Sequence, residues 1–409
     1  MVPTVYEIAS FFPIQEEEKS SLIMNDEHSV DLVVLFENCE SNVNTNILEE
    51  IKPDYEPIHL PLSIIEILKI WTSSSCESSS HRIGISPCDY FSLDTMFIHT
   101  WSQSHVEQPY RLTAIIEHLH NYFWINHHSR WKCIAGRMIS NEETQLVHSK
   151  IFLSEFLSVE RGETIDDMPS IRTLSYANAR YNFKSVGPII ARACRTAAGT
   201  TVNVISSVAR CAIDFGFAFV RPAGHHSSTD QVGTFCGLNS VAIGAVYAVR
   251  ILQLDRVLIL DWDVHRSGGT EQILGQISNE DQEKYRLIDM YAAFGKMSNS
   301  TSVPFNCHLI DLYDRNQLPG DDEYLKIFDF KILPDINQFS PSLILISAGF
   351  DAAEGEAETC ARLKPNGYFQ MTKKLKELKI PLVFVLEGGY QQQPLVQSIA
   401  AVFQSLLDL

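Results

Sequence analysis

The stretch Val257-Leu258-Ile259-Leu260-Asp261-Trp262-Asp263-Val264-His265 decides the fold. Its first four residues are apolar and unbroken, which predicts a strand buried on both faces of a parallel sheet. Side chains alternate along a strand, so Asp261, Asp263 and His265 point one way. Two carboxylates and an imidazole at the carboxyl end of such a strand are costly to bury unless they coordinate or catalyse. That end is also where open α/β sheets hold their ligands.

Three more segments repeat the pattern of an apolar strand followed by polar residues. Phe219-Val220 leads into Arg221-Pro222-Ala223-Gly224-His225-His226. Leu345-Ile346 leads into Ser347-Ala348-Gly349-Phe350-Asp351, and Val385-Leu386 into Glu387-Gly388-Gly389-Tyr390. Parallel strands open on one rim, so His225, His226, Asp263, His265, Asp351 and Tyr390 can converge there. Asp263, His265 and Asp351 then make three protein ligands with a position left open, the arrangement of catalytic rather than structural zinc. Zinc would polarise a carbonyl and acidify a water. Adjacent histidines suit general acid and base work. A tyrosine after Gly388-Gly389, where backbone can approach closely, could donate to a developing oxyanion.

The wider chain supports an α/β class. Apolar runs at 217–220, 257–260, 286–288, 343–346 and 382–386 alternate with helical patterns near 187–198, 238–252, 321–333, 365–378 and 394–407. That alternation predicts a central, mostly parallel sheet with helices on both faces. Residues 1–95 read as an N-terminal extension partly packed on the core, with a candidate strand at Val33-Val34-Leu35-Phe36. Leu62 to Leu68 is a strand or a short helix, and a serine-rich loop lies near 72–80. Residues 96–409 read as the catalytic domain.

The net charge of −18 disfavours direct nucleic-acid binding, since it repels phosphate, and suits cationic ligands such as lysine-rich tails or polyamines. Nine scattered cysteines without a C-x-x-C pair fit a reducing compartment. No signal-peptide pattern and no apolar stretch of ~18 residues is visible. The expectation is a nuclear or cytoplasmic protein that does not enter a membrane.

The four rim segments resemble the zinc-dependent histone deacetylase family, nearest its class II branch, from about residue 96 to the carboxyl terminus. His105-Val106-Glu107-Gln108-Pro109-Tyr110-Arg111 is similar to the family's H-P-E-x-P-x-R, and Thr234-Phe235-Cys236-Gly237-Leu238-Asn239-Ser240 to its G-F-C-x-x-N-S. The resemblance implies the three-layer arginase–deacetylase fold and hydrolysis of acetyl groups from lysine ε-amines in proteins, with corepressor-type partners. It implies Asp263, His265 and Asp351 as zinc ligands, His225 and His226 as the tandem histidines with His226 the general base, and Tyr390 as the group polarising the acetyl carbonyl. Asp261 would back His225 and help hold a structural potassium ion. Phe235 would form one wall of the acyl-lysine tunnel, Phe294 is the candidate for the other, and Gly388 and Gly389 would line the substrate path.

The chain also departs from the family. Arg266-Ser267-Gly268-Gly269 follows His265 where the family has His-Gly-Asn or His-Gly-Asp and then Gly, so the Asn or Asp that orients His226 is Gly268. Thr234 replaces the tunnel glycine. Asp289-Met290 replaces the Ser-Leu pair of the potassium site, and Asp289 could still coordinate. Ala177 to Tyr181 contains no clear counterpart of the rim aspartate. Glu358 stands where the family's polyamine-preferring member has a gatekeeper glutamate, so an acetylpolyamine deacetylase is the alternative. A weakly active interaction protein that keeps the fold is the lesser alternative. A binuclear manganese ureohydrolase would need carboxylates at 267 and 353, which are Ser267 and Ala353.

Overall fold

The computed structural model describes residues 60–73, 82–98, 106–163, 183–293, 303–314, 316–357 and 359–409. The expected strand at 33–36 and most of the serine-rich loop lie outside the described residues, as do Phe294, Glu358, His105 and 177–181.

Among the described residues eight strands form one sheet: β1 (Ile83–Ser86), β2 (Trp131–Cys133), β3 (Phe215–Ala218), β4 (Val257–Asp261), β5 (Tyr285–Tyr291), β6 (Cys307–Asp311), β7 (Leu343–Ala348) and β8 (Leu382–Leu386). Their order is β2-β1-β3-β8-β7-β4-β5-β6, and every pairing is parallel. β4, β7 and β8 are buried at every residue, as unbroken apolar runs require. All carboxyl ends therefore share one rim.

Alternation along β3 shows the three layers. The Cα of Gly216 faces Val204 and Val208 of the helix Phe183–Ala209. Phe217, one residue on, stacks on Phe384 of β8 and Phe403 of the helix Gln392–Leu407, with ring centroids 5.5 and 5.6 Å apart. Such pairs add about 0.5–1.5 kcal/mol beyond the area they bury. Ser240–Arg250 lies on the Gly216 face, where Gly244 approaches Ile205 and Leu345. Tyr368 of the helix Pro365–Glu377 packs against Trp262 just past β4. No described helix is long and apolar enough to cross a membrane.

The segment at Leu62, open between strand and short helix in the sequence, is the helix Leu62–Ser73, with Ile64, Ile67, Leu68 and Trp71 buried. Trp71 sits between Trp124 and Trp131 at 5.5 and 5.7 Å. The boundary at 95 falls inside the helix Tyr90–Ile98, and β1 precedes it while pairing with both β2 and β3. The sheet thus begins within what reads as an extension.

Candidate active site

Asp263 and His265 leave the end of β4, and Asp351 leaves the end of the adjacent β7. Ligand atoms of the three lie within 4.8 Å of one another. His265 Nδ1 is 3.0 Å from Asp263 Oδ1 and 3.1 Å from Asp351 Oδ2. Main-chain N–H groups fix both carboxylates: Val264 donates to Asp351 Oδ1 at 2.9 Å, His265 to Asp263 Oδ1 at 2.9 Å and Gly388 to Asp263 Oδ2 at 2.8 Å. Burial and the charge of Asp263 push Asp351 up to about 6. Burial opposes ionisation of Asp263 too, but the charge of His225 and the contacts with His265 outweigh it and hold Asp263 below the usual carboxylate range. Two buried carboxylates facing one imidazole nitrogen are a donor set that fits a divalent metal with open coordination positions.

His225 and His226 follow β3 and lie beside this group, their rings tilted by 33° with centroids 4.0 Å apart. Their environments drive them apart. Burial works against the charged form of His225, but Asp263 and Asp261 outweigh it and raise its pKa well above the ordinary value. Its Nδ1 lies 3.0 Å from Asp261 Oδ2. Burial, then the charge of His225, lowers His226 well below the ordinary value. Asp263 and the main chain of Arg266 favour the charged form of this ring but do not outweigh those two effects.

Tyr390 lies across the rim, with Phe235 edge-on to its ring at 5.9 Å and 88°. Burial and the charges of Asp351 and Asp263 raise its pKa well above 10, so it remains a proton donor. Its loop is tied from several sides. Arg111 donates to Gly389 O at 2.5 Å and Glu387 O at 2.6 Å, and its guanidinium lies over the Tyr390 ring. Tyr110 donates its hydroxyl to Tyr390 O at 2.9 Å. Glu356 accepts from the main-chain N–H of Tyr390 and of Gln391, each at 3.0 Å. Gly389 has φ of +106°, which only glycine adopts readily. A Cβ on Gly388 would overlap Asp351 Oδ2 and Asp263 Oδ2.

Asp261 and Asp289 are register partners across β4 and β5, so their side chains share a face. Asp289 Oδ2 accepts from Ser267 N and Oγ at 2.9 and 2.8 Å. Two departures from the family pattern therefore answer each other here. Asp289 Oδ1 is buried without a partner, and burial together with Asp261 pushes this carboxyl well up. Thr234 is exposed and Phe235 half-buried at the opening.

Sequence reasoning missed the supports. Glu107, Arg111 and Arg221 form a fully buried ion cluster, with Glu107 receiving Arg221 at 2.7 Å and Arg111 at 3.1 Å. Glu356 reads as one more residue of an acidic run yet is 3% exposed. Glu387 is buried, and its Oε2 accepts from Gly224 N at 2.7 Å and His225 N at 3.3 Å.

A parallel eight-stranded sheet with this rim defines a hydrolase of the arginase–deacetylase fold. The chain belongs to the histone deacetylase family, since residues 105–406 match the family model for the histone deacetylase domain. Histone deacetylase 15 of Arabidopsis thaliana is 29% identical over 368 residues, 86% of this chain and 61% of that protein. Polyamine deacetylase HDAC10 of Mus musculus is 31% identical over 317 residues, 74% of this chain and 45% of the relative. Histone deacetylase 6 of Caenorhabditis elegans is 31% identical over 325 residues, 74% of this chain and 32% of the relative. The chain thus spans less than two thirds of each of these proteins. The crystal structure of the HDA15 HD domain superposes with a TM-score of 0.66 at 27% identity, covering 80% of this chain and 91% of that one.

Proposed function

We propose that the protein is a zinc-dependent amidohydrolase that removes acetyl groups from lysine ε-amines in proteins. The observation that carries this reading is the Asp263–His265–Asp351 group beside a histidine pair with opposed pKa shifts and under Tyr390. A zinc ion held by those three residues would polarise the acetyl carbonyl and acidify the attacking water. His226, kept neutral by burial and by the charge of His225, takes the proton from that water. The Tyr390 hydroxyl donates to the carbonyl oxygen as it gains charge. His225, kept charged by Asp263 and Asp261, gives a proton to the leaving amine. Asp261 and Asp289 would hold a structural cation such as potassium, for which the orphaned Asp289 Oδ1 is a fitting donor.

Chelation should abolish turnover of an acetyl-lysine peptide, and one equivalent of zinc should restore it. Tyr390→Phe should keep its zinc and lose at least about 100-fold in kcat. Full activity without metal, or in Tyr390→Phe, defeats the reading. The similarity to a polyamine deacetylase, the Glu358 position and the −18 charge favour a second reading, an acetylpolyamine substrate. Preferred turnover of N8-acetylspermidine, lost in Glu358→Leu, would select it over the first.

A further inference from the structure

A second set of metal-binding side chains lies next to the first and shares no residue with it. His225, Cys236 and Glu387 bring one donor atom each to within 4.8 Å of the others. All three are buried, with 3%, 1% and 1% exposure.

Each residue is fixed from behind with a donor left over. His225 Nδ1 is engaged by Asp261, which leaves Nε2, 3.8 Å from Asp263 Oδ1, as the ring atom open to a metal. Glu387 Oε2 is engaged by Gly224 N and His225 N, while Oε1 is buried with no hydrogen-bond partner among the described residues. Cys236 is held by its main chain, with its N–H on Gly233 O at 3.3 Å. The strongest outside charge on its thiol is that of Glu387. A carboxylate oxygen beside a thiol and an imidazole nitrogen is a donor set that suits a cation with mixed preferences. Nitrogen, sulfur and oxygen donors together are a set that zinc and its neighbours in the transition series accept.

We propose that His225, Cys236 and Glu387 form a second, weaker transition-metal site whose occupation inhibits the enzyme. The inhibitory part rests on the reading of Asp263, His265 and Asp351 as the catalytic metal group. The site is weaker because binding must expel the thiol proton to solvent, which burial opposes, whereas the first group offers two carboxylates already fixed by N–H donors. It inhibits because the metal replaces the proton on Nε2 of His225, which leaves to solvent with the thiol proton. That ring nitrogen then cannot donate to the leaving amine.

Cobalt(II) separates the two sites, because only the second contains sulfur. The full-length, metal-free protein is titrated with cobalt while near-ultraviolet absorbance and acetyl-lysine peptide turnover are followed together. The first equivalent should restore turnover without a thiolate-to-cobalt charge-transfer band. Further cobalt should raise that band and suppress turnover in parallel. Cys236→Ser should keep basal turnover, lose the band and need at least about 10-fold more metal for inhibition. No band in excess cobalt overturns the proposal, as does a band unchanged in Cys236→Ser or one that appears with the first equivalent. Failure of the first equivalent to restore turnover would count against the catalytic reading instead, while the band and its loss in Cys236→Ser still report on the second site.

Discussion

At Gly268 the chain lacks the side chain that its family aims at the second histidine. The main chain of Arg266 favours the charged form of His226, but burial and the charge of His225 outweigh it. A Cβ on Gly268 meets nothing within 4 Å. Gly268→Asn should therefore fit and raise kcat/KM by roughly 10-fold, the reverse of a typical loss of a supporting ligand contact. Equal kinetics in variant and parent would mean that His226 needs no side-chain partner from position 268. Glu356 sets up the opposite case. Burial raises it from the usual 4.5 to about 7, although two N–H groups favour its charged form. A carboxyl whose pKa rises on folding gives stability that is complete below its unfolded value and is lost as pH climbs through the folded one. Relative to Glu356→Gln, the parent should lose stability on the order of 3 kcal/mol between pH 4.5 and 7. Melts of both proteins across that window check this. The same variant should turn over about 10-fold more slowly with unchanged zinc content, since the Tyr390 loop loses one acceptor. Asp263 and His265 were legible because strand alternation puts them on one face. Glu356 was not, because a buried glutamate inside an acidic run looks like its solvated neighbours.

The elements that were legible are those with one dominant physical demand. β4, β7 and β8 are buried throughout, so they read as unbroken apolar runs, and the polar residues at their ends stand out. β1, β2 and β6 carry weaker patterns. β1 is four residues with Gly84 pressed against Ile213 and Ile134, β2 is three residues with an exposed Lys132, and β6 at the sheet edge alternates buried with exposed positions. Fold class therefore followed from the centre of the sheet, and the outer strands followed only from the structure. The loop after β8 shows how an element end becomes a site. Gly388 donates its N–H to Asp263, and its missing Cβ is what lets the chain pass over both ligand carboxylates. Gly388→Ala should push Asp263 and Asp351 apart and weaken zinc binding at least about 10-fold while the core stays folded. Zinc affinity by competition with a chromophoric chelator, alongside far-ultraviolet dichroism, distinguishes this from unfolding. Retained affinity would show that the loop can move aside.

At the scale of the molecule, the limits of the catalytic unit follow from which strands the sheet cannot lose. β1 lies between β2 and β3, so a chain that starts at residue 96 has a gap in its sheet and leaves β3 with an open edge. It also lacks the helix Leu62–Ser73, whose Trp71 is 1% exposed between Trp124 and Trp131. Removing a buried tryptophan alone costs about 3–5 kcal/mol, a large part of the net stability of an ordinary domain. Lys52–Leu409 is one compact unit, which puts the first permissible cut well before 96. The fragment 52–409 should be monodisperse in gel filtration and show a cooperative melt. The fragment 96–409 should aggregate or remain partly unfolded, even though the family match begins only at 105. The match follows the residues that do chemistry, whereas folding depends on β1, which contributes none of the residues assigned chemistry here. A soluble and cooperatively folded 96–409 would show that β2 and β3 can close the gap themselves, and the unit would then begin where the sequence reading first placed it.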